Sequence, residues 1–233
     1  MIKMILGMVL VGLLFCVSVS ANETTIVMLG DSTTLCDRNA ADKKLTVLVE
    51  KKLGESIKGN TFKVMNSGVG GSTAKEAVPR VQASVINHKP DLVTISFGLN
   101  DTGKSTPEEF RKSLEDIIDA VQKDTHAKIM LITSSPFDNA RHAWKDNYPK
   151  VGLDETMDTK FCEEMRKLAV KKKVGLCDLH KELVAAFKKD PTLVNKSIMP
   201  DGVHLTDEGN VLASGFIVTD IVKILKGGKT ANK

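Results

Sequence analysis

The chain has no internal repeat and no low-complexity tract, which argues against solenoid, fibrous and disordered architectures. Charge of one sign is also scarce. Lys and Arg total 33 against 29 Asp and Glu, a formal net charge of +4. That surplus is too mild to mark a nucleic-acid binder. The lysine groups Lys171-Lys172-Lys173 and Lys223, Lys226, Lys229, Lys233 have no interleaved aromatics and read as solvated helix ends, where cations suit the helix dipole. Aromatics make up only 4% of the residues. After the first twenty or so residues no run is apolar enough to cross a bilayer. There is no C-x-x-C, no H-E-x-x-H, no G-x-S-x-G and no Walker pattern, which removes the commonest redox, zinc-protease, hydrolase-elbow and phosphate-loop readings. What remains is 233 residues, 42% hydrophobic and 27% charged, the profile of one ordinary globular domain.

The N-terminus differs in kind. Lys3 precedes an almost unbroken apolar run, Met4 to Val17, followed by the small residues Ser18 to Ala21. This is signal-peptide anatomy: residues 1–21 are expected to be removed, leaving 22–233 as one domain in a secreted or periplasmic protein. A retained anchor is the alternative, but the run is short of the roughly 20 residues a span needs. Phe15 before Cys16 argues against a lipoprotein box. Cleavage would lower the charge from +4 to +3 and leave Cys36, Cys162 and Cys177. In an oxidising compartment Cys162–Cys177 is the expected pair, and the odd count leaves at least one thiol free or paired between chains.

Beyond that point short apolar runs alternate with amphipathic stretches. Strands are predicted at Thr25–Leu29, Phe62–Met65, Leu92–Phe97, Lys128–Thr133 and Val174–Asp178. Helices are predicted from Leu45 to Gly54, from Ala74 to Asn87 and bent or restarted at Pro79, from Pro107 to about Asp124, from about Glu155 to Lys172 and from Thr206 to about Leu225. Thr106-Pro107-Glu108-Glu109 is a strong start signal: a capping Thr, Pro at the first position and acids in the first turn. Such alternation implies a five-stranded parallel sheet covered on both faces, an α/β/α three-layer sandwich. In these sheets ligands bind beyond the carboxyl ends of the strands.

Three polar turns fall at those ends: Gly30-Asp31-Ser32, Asn66 to Gly71, and Gly98-Leu99-Asn100-Asp101. Asp201-Gly202-Val203-His204 precedes the last helix. Each alone reads as a cap or a turn. Together they supply what acyl transfer requires: a nucleophile, a base, a group that holds the base, and donors for an oxyanion. Ser32 can project from the sheet edge. Asp201, three residues before His204, can hold the ring Nδ1 and leave Nε2 to take the serine proton. Gly71 offers an unobstructed N–H, and Asn100 a neutral amide donor. Asp31, Asp101 and Asp201 lack the companion histidines of a metal site, so neither metal nor cofactor is expected.

These four segments resemble the blocks of the SGNH hydrolases, also called the GDSL family, from Thr25 to about Leu225. The resemblance implies a flavodoxin-like sheet and metal-independent ester chemistry. By it, Ser32 is the nucleophile, and Asp201 and His204 complete the triad. The Ser32 N–H, Gly71 and Asn100 form the oxyanion hole, with Asp31, Asn66 and Asp101 in support. Thr33, where the family often has Leu, gives the chain the look of the carbohydrate esterases.

The remaining histidines, His88, His126, His142 and His180, lack a carboxylate at a comparable motif position and are expected on the surface or in loops. The stretch from Ser134 to Asp158 is long and aperiodic and should overhang the same edge. It holds Trp144 and Tyr148, the chain's one Trp and one Tyr, beside Arg141 and His142. These are either substrate-facing groups or aromatics that pin the loop. The expected reaction is hydrolysis of a small-molecule or polysaccharide ester, with a short acyl group such as acetyl on a carbohydrate. The alternatives are a lysophospholipase, thioesterase or acyltransferase of the same family, or a carbohydrate-binding module without chemistry.

Overall fold

The computed structural model describes residues 23–142 and 153–227. The putting together of the fold starts with five strands: β1 (Glu23–Gly30), β2 (Thr61–Gly68), β3 (Leu92–Ser96), β4 (Lys128–Ile132) and β5 (Gly175–Cys177). All neighbours pair in parallel, in the order β2-β1-β3-β4-β5. The helices are α1 (Ser32–Leu35), α2 (Leu45–Ser56), α3 (Ala74–Ala77), α4 (Val81–Ser84), α5 (Asp101–Lys104), α6 (Pro107–Asp124), α7 (Leu153–Thr156), α8 (Glu163–Lys172), α9 (Leu179–Lys189), α10 (Thr192–Ser197) and α11 (Asp207–Leu225).

Strand alternation sorts the core into two. Val27, Leu29, Val93, Ile95, Ile129 and Leu131 point to one face, where Phe110, Leu114 and Ile117 of α6 and Met165 and Leu168 of α8 cover them. Ile26, Met28, Leu92, Met130 and Ile132 point to the other face, against α2, α9 and α11. Each such fully buried side chain is worth about 1.5–3 kcal/mol relative to exposure. The result is the expected three-layer sandwich. The order reverses between β1 and β3, which places a crevice beyond their carboxyl ends.

The capping box before α6 forms as its residues dictate. Glu109 N–H donates to Thr106 Oγ1 at 3.2 Å, and Thr106 N–H donates to a Glu109 carboxylate oxygen at 2.9 Å. Elsewhere the structure corrects the expectations. Ala74–Asn87 does restart after Pro79, but in shorter pieces than expected: α3, a 3₁₀ turn at Val78–Arg80 containing Pro79, α4, and a second 3₁₀ turn at Ile86–His88. The helix expected at Glu155–Lys172 is interrupted by a π-helical segment, Met157–Cys162. Helices α9 and α10 were not expected, although Leu179, Leu183 and Phe187 recur at helical spacing behind the capping Asp178.

The expected disulfide is absent: Cys36, Cys162 and Cys177 are buried free thiols. Cys162 belongs to one core and Cys177 to the other, so the two lie in clusters on opposite faces of the sheet. His180 is neither on the surface nor in a loop, being 3% exposed in α9, whereas His142 lies in a loop as expected but is also 3% exposed. Residues 1–21, read above as a signal peptide, and Trp144 and Tyr148 lie outside the described residues. Among the described residues no helix is long and apolar enough to cross a membrane.

Candidate active site

Strand β1 ends at Gly30, and the chain turns at once into α1, with Asp31 as its N-cap. One Asp31 carboxylate oxygen accepts both the Thr33 N–H and the Thr33 hydroxyl at 2.8 Å. The hydroxyl bond is one that a leucine at this position could not make. Ser32 is the first helical residue, so its N–H has no intrahelical partner. Its Oγ lies 2.9 Å from His204 Nε2.

His204 is delivered by a tight turn between α10 and α11. Ile198 and Leu205 form an antiparallel bridge, and Met199 N–H donates to the His204 carbonyl at 2.8 Å. Asp201 Oδ1 accepts the N–H groups of Val203 and His204, both at 3.0 Å, and Oδ2 lies 2.8 Å from His204 Nδ1. Burial works against the Asp201 charge, but those two N–H groups and the His204 ring outweigh it and hold the carboxyl below its ordinary range. Gly202 has φ +73, and a Cβ there would fall 2.8 Å from His142 N and 2.9 Å from the Asp138 carbonyl oxygen. Only glycine fits this turn.

The second turn is clamped to the first. Asn66 Nδ2 donates to the Thr34 and Leu35 carbonyls at 3.0 and 3.2 Å, closing the end of α1. Val69 N–H donates to the Gly30 carbonyl at 3.1 Å. Gly71 follows at φ +74 with open space around it. The third turn then locks onto the second. Asn100 Nδ2 donates to the Ser72 carbonyl at 3.1 Å, which leaves its other amide hydrogen for a ligand. Asp101 accepts Ala74 N–H at 3.0 Å on one oxygen and Gly98 N–H at 3.1 Å on the other. Burial, aided by the charge of Asp31 and opposed by these two N–H groups, raises the Asp101 carboxyl to about 7. Burial raises Asp31 as well.

Three residues at this edge went unread in the sequence. Arg38 Nη1 donates to Asp201 Oδ2 at 2.6 Å. Arg80 donates to the Ser67 and Gly30 carbonyls at 3.0 and 3.1 Å, tying the ends of β2 and β1. Lys104 Nζ donates to the Gly71 carbonyl at 2.9 Å. None sits in a local pattern, so no sequence signal marked them. Arg141, expected near substrate, donates through Nε to Asp138 at 2.6 Å and through Nη1 to the Ile198 carbonyl at 3.4 Å, which pins its own turn. Ser32, Thr33, Cys36, Arg38, His204 and Leu205 are among the residues lining a crevice of about 10 Å³, room for roughly one water. Among the described residues no three of His, Cys, Asp or Glu gather as a metal-holding group.

A parallel α/β/α sandwich with a serine, an imidazole and a carboxylate in hydrogen-bonded series at its switch point has the architecture of the SGNH hydrolases. Comparison with known proteins agrees. The GDSL-like lipase/acylhydrolase family profile matches residues 28–212. The chain belongs to that family and is an ester-bond hydrolase. It is 23% identical over 218 residues to an arylesterase of Vibrio mimicus, covering 91% of this chain and 96% of that one. The lipase/acylhydrolase of Enterococcus faecalis superposes with a TM-score of 0.68 at 25% identity, over 85% of this chain and 95% of the other. The acetyl xylan esterase AlAXEase shares the fold with a TM-score of 0.70 at 22% identity, over 84% and 98%.

Proposed function

We propose that this hydrolase is an exported serine esterase that removes short acyl groups, acetyl foremost, from a carbohydrate. Residues 1–21 act as the export signal and 22–233 as the catalytic domain. The observation that carries the chemistry is the series Ser32 Oγ, His204 Nε2, His204 Nδ1, Asp201 Oδ2, with separations of 2.9 Å and 2.8 Å. Asp201 keeps the proton on Nδ1, so Nε2 accepts the Ser32 proton as Oγ attacks the ester carbonyl carbon. The oxygen that takes up the electron pair is met by the Ser32 and Gly71 N–H groups and the second Asn100 amide hydrogen. The imidazolium then gives its proton to the leaving alcohol oxygen, and an acyl-serine remains. A water, deprotonated by His204, attacks that acyl carbon, and the proton returns to Ser32 Oγ as the acid departs.

The short-acyl reading is supported by the fold shared with the acetyl xylan esterase AlAXEase and by the crevice beside Ser32 and His204. Its polar lining, with Arg38 and Thr33, suits a hydroxylated substrate. The test is hydrolysis of p-nitrophenyl esters of rising chain length, with acetylated xylan and pectin alongside, by the wild type and Ser32→Ala. Acetate should be the preferred ester, and Ser32→Ala should lose turnover and fluorophosphonate labelling while remaining folded. Wild-type turnover by Ser32→Ala ends the triad assignment. A preference for long acyl chains ends the acetyl assignment.

A further inference from the structure

The reaction above makes no use of a second histidine–carboxylate pair at the carboxyl end of the same sheet, its imidazole buried and its carboxylate partly exposed. His180, in the first turn of α9, has a side chain only 4% exposed. Its Nε2 lies 3.0 Å from Asp154 Oδ1. Its backbone N–H donates to Thr133 Oγ1 at 3.0 Å, and Thr133 N–H donates to the Cys177 carbonyl at 3.1 Å, so the ring is anchored where β4 and β5 end. Asp154 Oδ1 accepts a second hydrogen bond, from Phe137 N–H, at 2.7 Å. The Asp154 N–H also donates to Asn139 Oδ1 at 3.0 Å. One carboxylate oxygen thus joins the start of α9 to the segment that leaves β4.

That segment touches the proposed triad. Asp138, next to Phe137, donates its N–H to the Gly202 carbonyl at 2.8 Å. Gly202 lies between Asp201 and His204, and the turn of Asp138 to His142 packs so closely on it that a Cβ has no room. The same stretch braces the oxyanion side. Met157, three residues after Asp154, presses on Gly98, its Sδ 3.2 Å from where a Cβ of Gly98 would stand. Arg166 secures this end, donating to Asp158 at 2.6 Å and to Asp178 at 2.7 and 3.0 Å.

We infer that His180 and Asp154 are positioning residues: their hydrogen bond sets the Phe137–Asp138 strap that holds the Asp201–His204 turn in register with Ser32. The inference rests on the triad reading. Removing one partner of such a pair can also cost stability, so kcat of the folded variants is the readout that separates positioning from folding. A displacement of the base by about 1 Å costs up to a hundredfold in rate, so a small shift of the strap should be felt in kcat.

The experiment compares five variants on p-nitrophenyl acetate, with Ser32→Ala run in parallel. His180→Leu and Asp154→Ala break the bond. Both should lower kcat tenfold or more, leave KM within twofold, and slow fluorophosphonate labelling of Ser32 in proportion. His180→Gln keeps an N–H at the ring's Nε2 place, and Asp154→Asn keeps the one oxygen that accepts both bonds; each should retain kcat within about threefold. Ile217→Val, which thins the opposite core, serves as the control for general destabilisation and should not change kcat. A folded His180→Leu with wild-type kcat overturns the inference, as does a rise in KM without loss of kcat. So does a loss of kcat well beyond threefold in the conservative variants, a result read against the wild type even where the disruptive ones fail to fold. If Ser32→Ala is inactive and His180→Leu is not, only the strap falls. If Ser32→Ala keeps turnover, the triad itself falls.

Discussion

Asp101→Asn isolates the energetics of the clamp that ties the Gly98–Asp101 turn to Ala74. The carboxyl is fully buried, with one N–H donor on each oxygen and a pKa raised from 3.8 to about 7, burial being the largest cause. The native state therefore holds this proton more tightly than the unfolded chain does. Its contribution to stability is full below pH 3.8 and is lost as pH rises through about 7. The whole window is worth about 4 kcal/mol, and the part between pH 5 and pH 8 roughly 3 kcal/mol. Asparagine cannot titrate, and it turns an NH₂ toward a buried N–H, a mismatch costing about 1–3 kcal/mol. The variant should thus be the less stable protein at pH 5, and the gap should shrink as pH rises to 8. Urea denaturation of both proteins across that range measures the gap. Titrations common to both, such as that of His142, cancel in the difference to first order. Parallel stability curves from pH 5 to pH 8 would refute a buried carboxyl that titrates near 7.

Two further outcomes follow from the same site. Asn100→Ala should lower kcat by about a hundredfold or more with little change in KM, because it removes one of the proposed oxyanion donors. Steady-state kinetics on p-nitrophenyl acetate check this, and an unchanged kcat removes Asn100 from the site. Gly202→Ala should destabilise the fold by at least 1–2 kcal/mol from the left-handed backbone alone. The contact of its Cβ with the 138–142 turn should depress activity further. A variant with wild-type melting temperature and kcat would show that this turn is not tightly packed.

Much of the sheet was legible because each strand is a short β-rich run ended by Gly, Asn or Asp. The helices that bury a regular stripe, such as α6, announced themselves in the same way. The Pro79 break was half visible. The π segment at Met157–Cys162 was not, because it keeps helical composition while changing only the hydrogen-bond register. α9 was missed although its leucines repeat at helical spacing. The free thiols were misjudged for a different reason: spacing along the chain says nothing about which face of a sheet a residue takes.

By itself the sequence determined the alternation of strands and helices and the chemical kinds gathered in the four turns, since both depend on residue type and near neighbours. Only the tertiary structure decided that Ser32 Oγ stands 2.9 Å from His204 Nε2 across 172 positions of chain. It alone brought Arg38 onto Asp201 and joined His180 to Asp154. Such contacts arise from how packed elements stack in space, and no local pattern encodes the distance between groups that the chain brings together only when it folds.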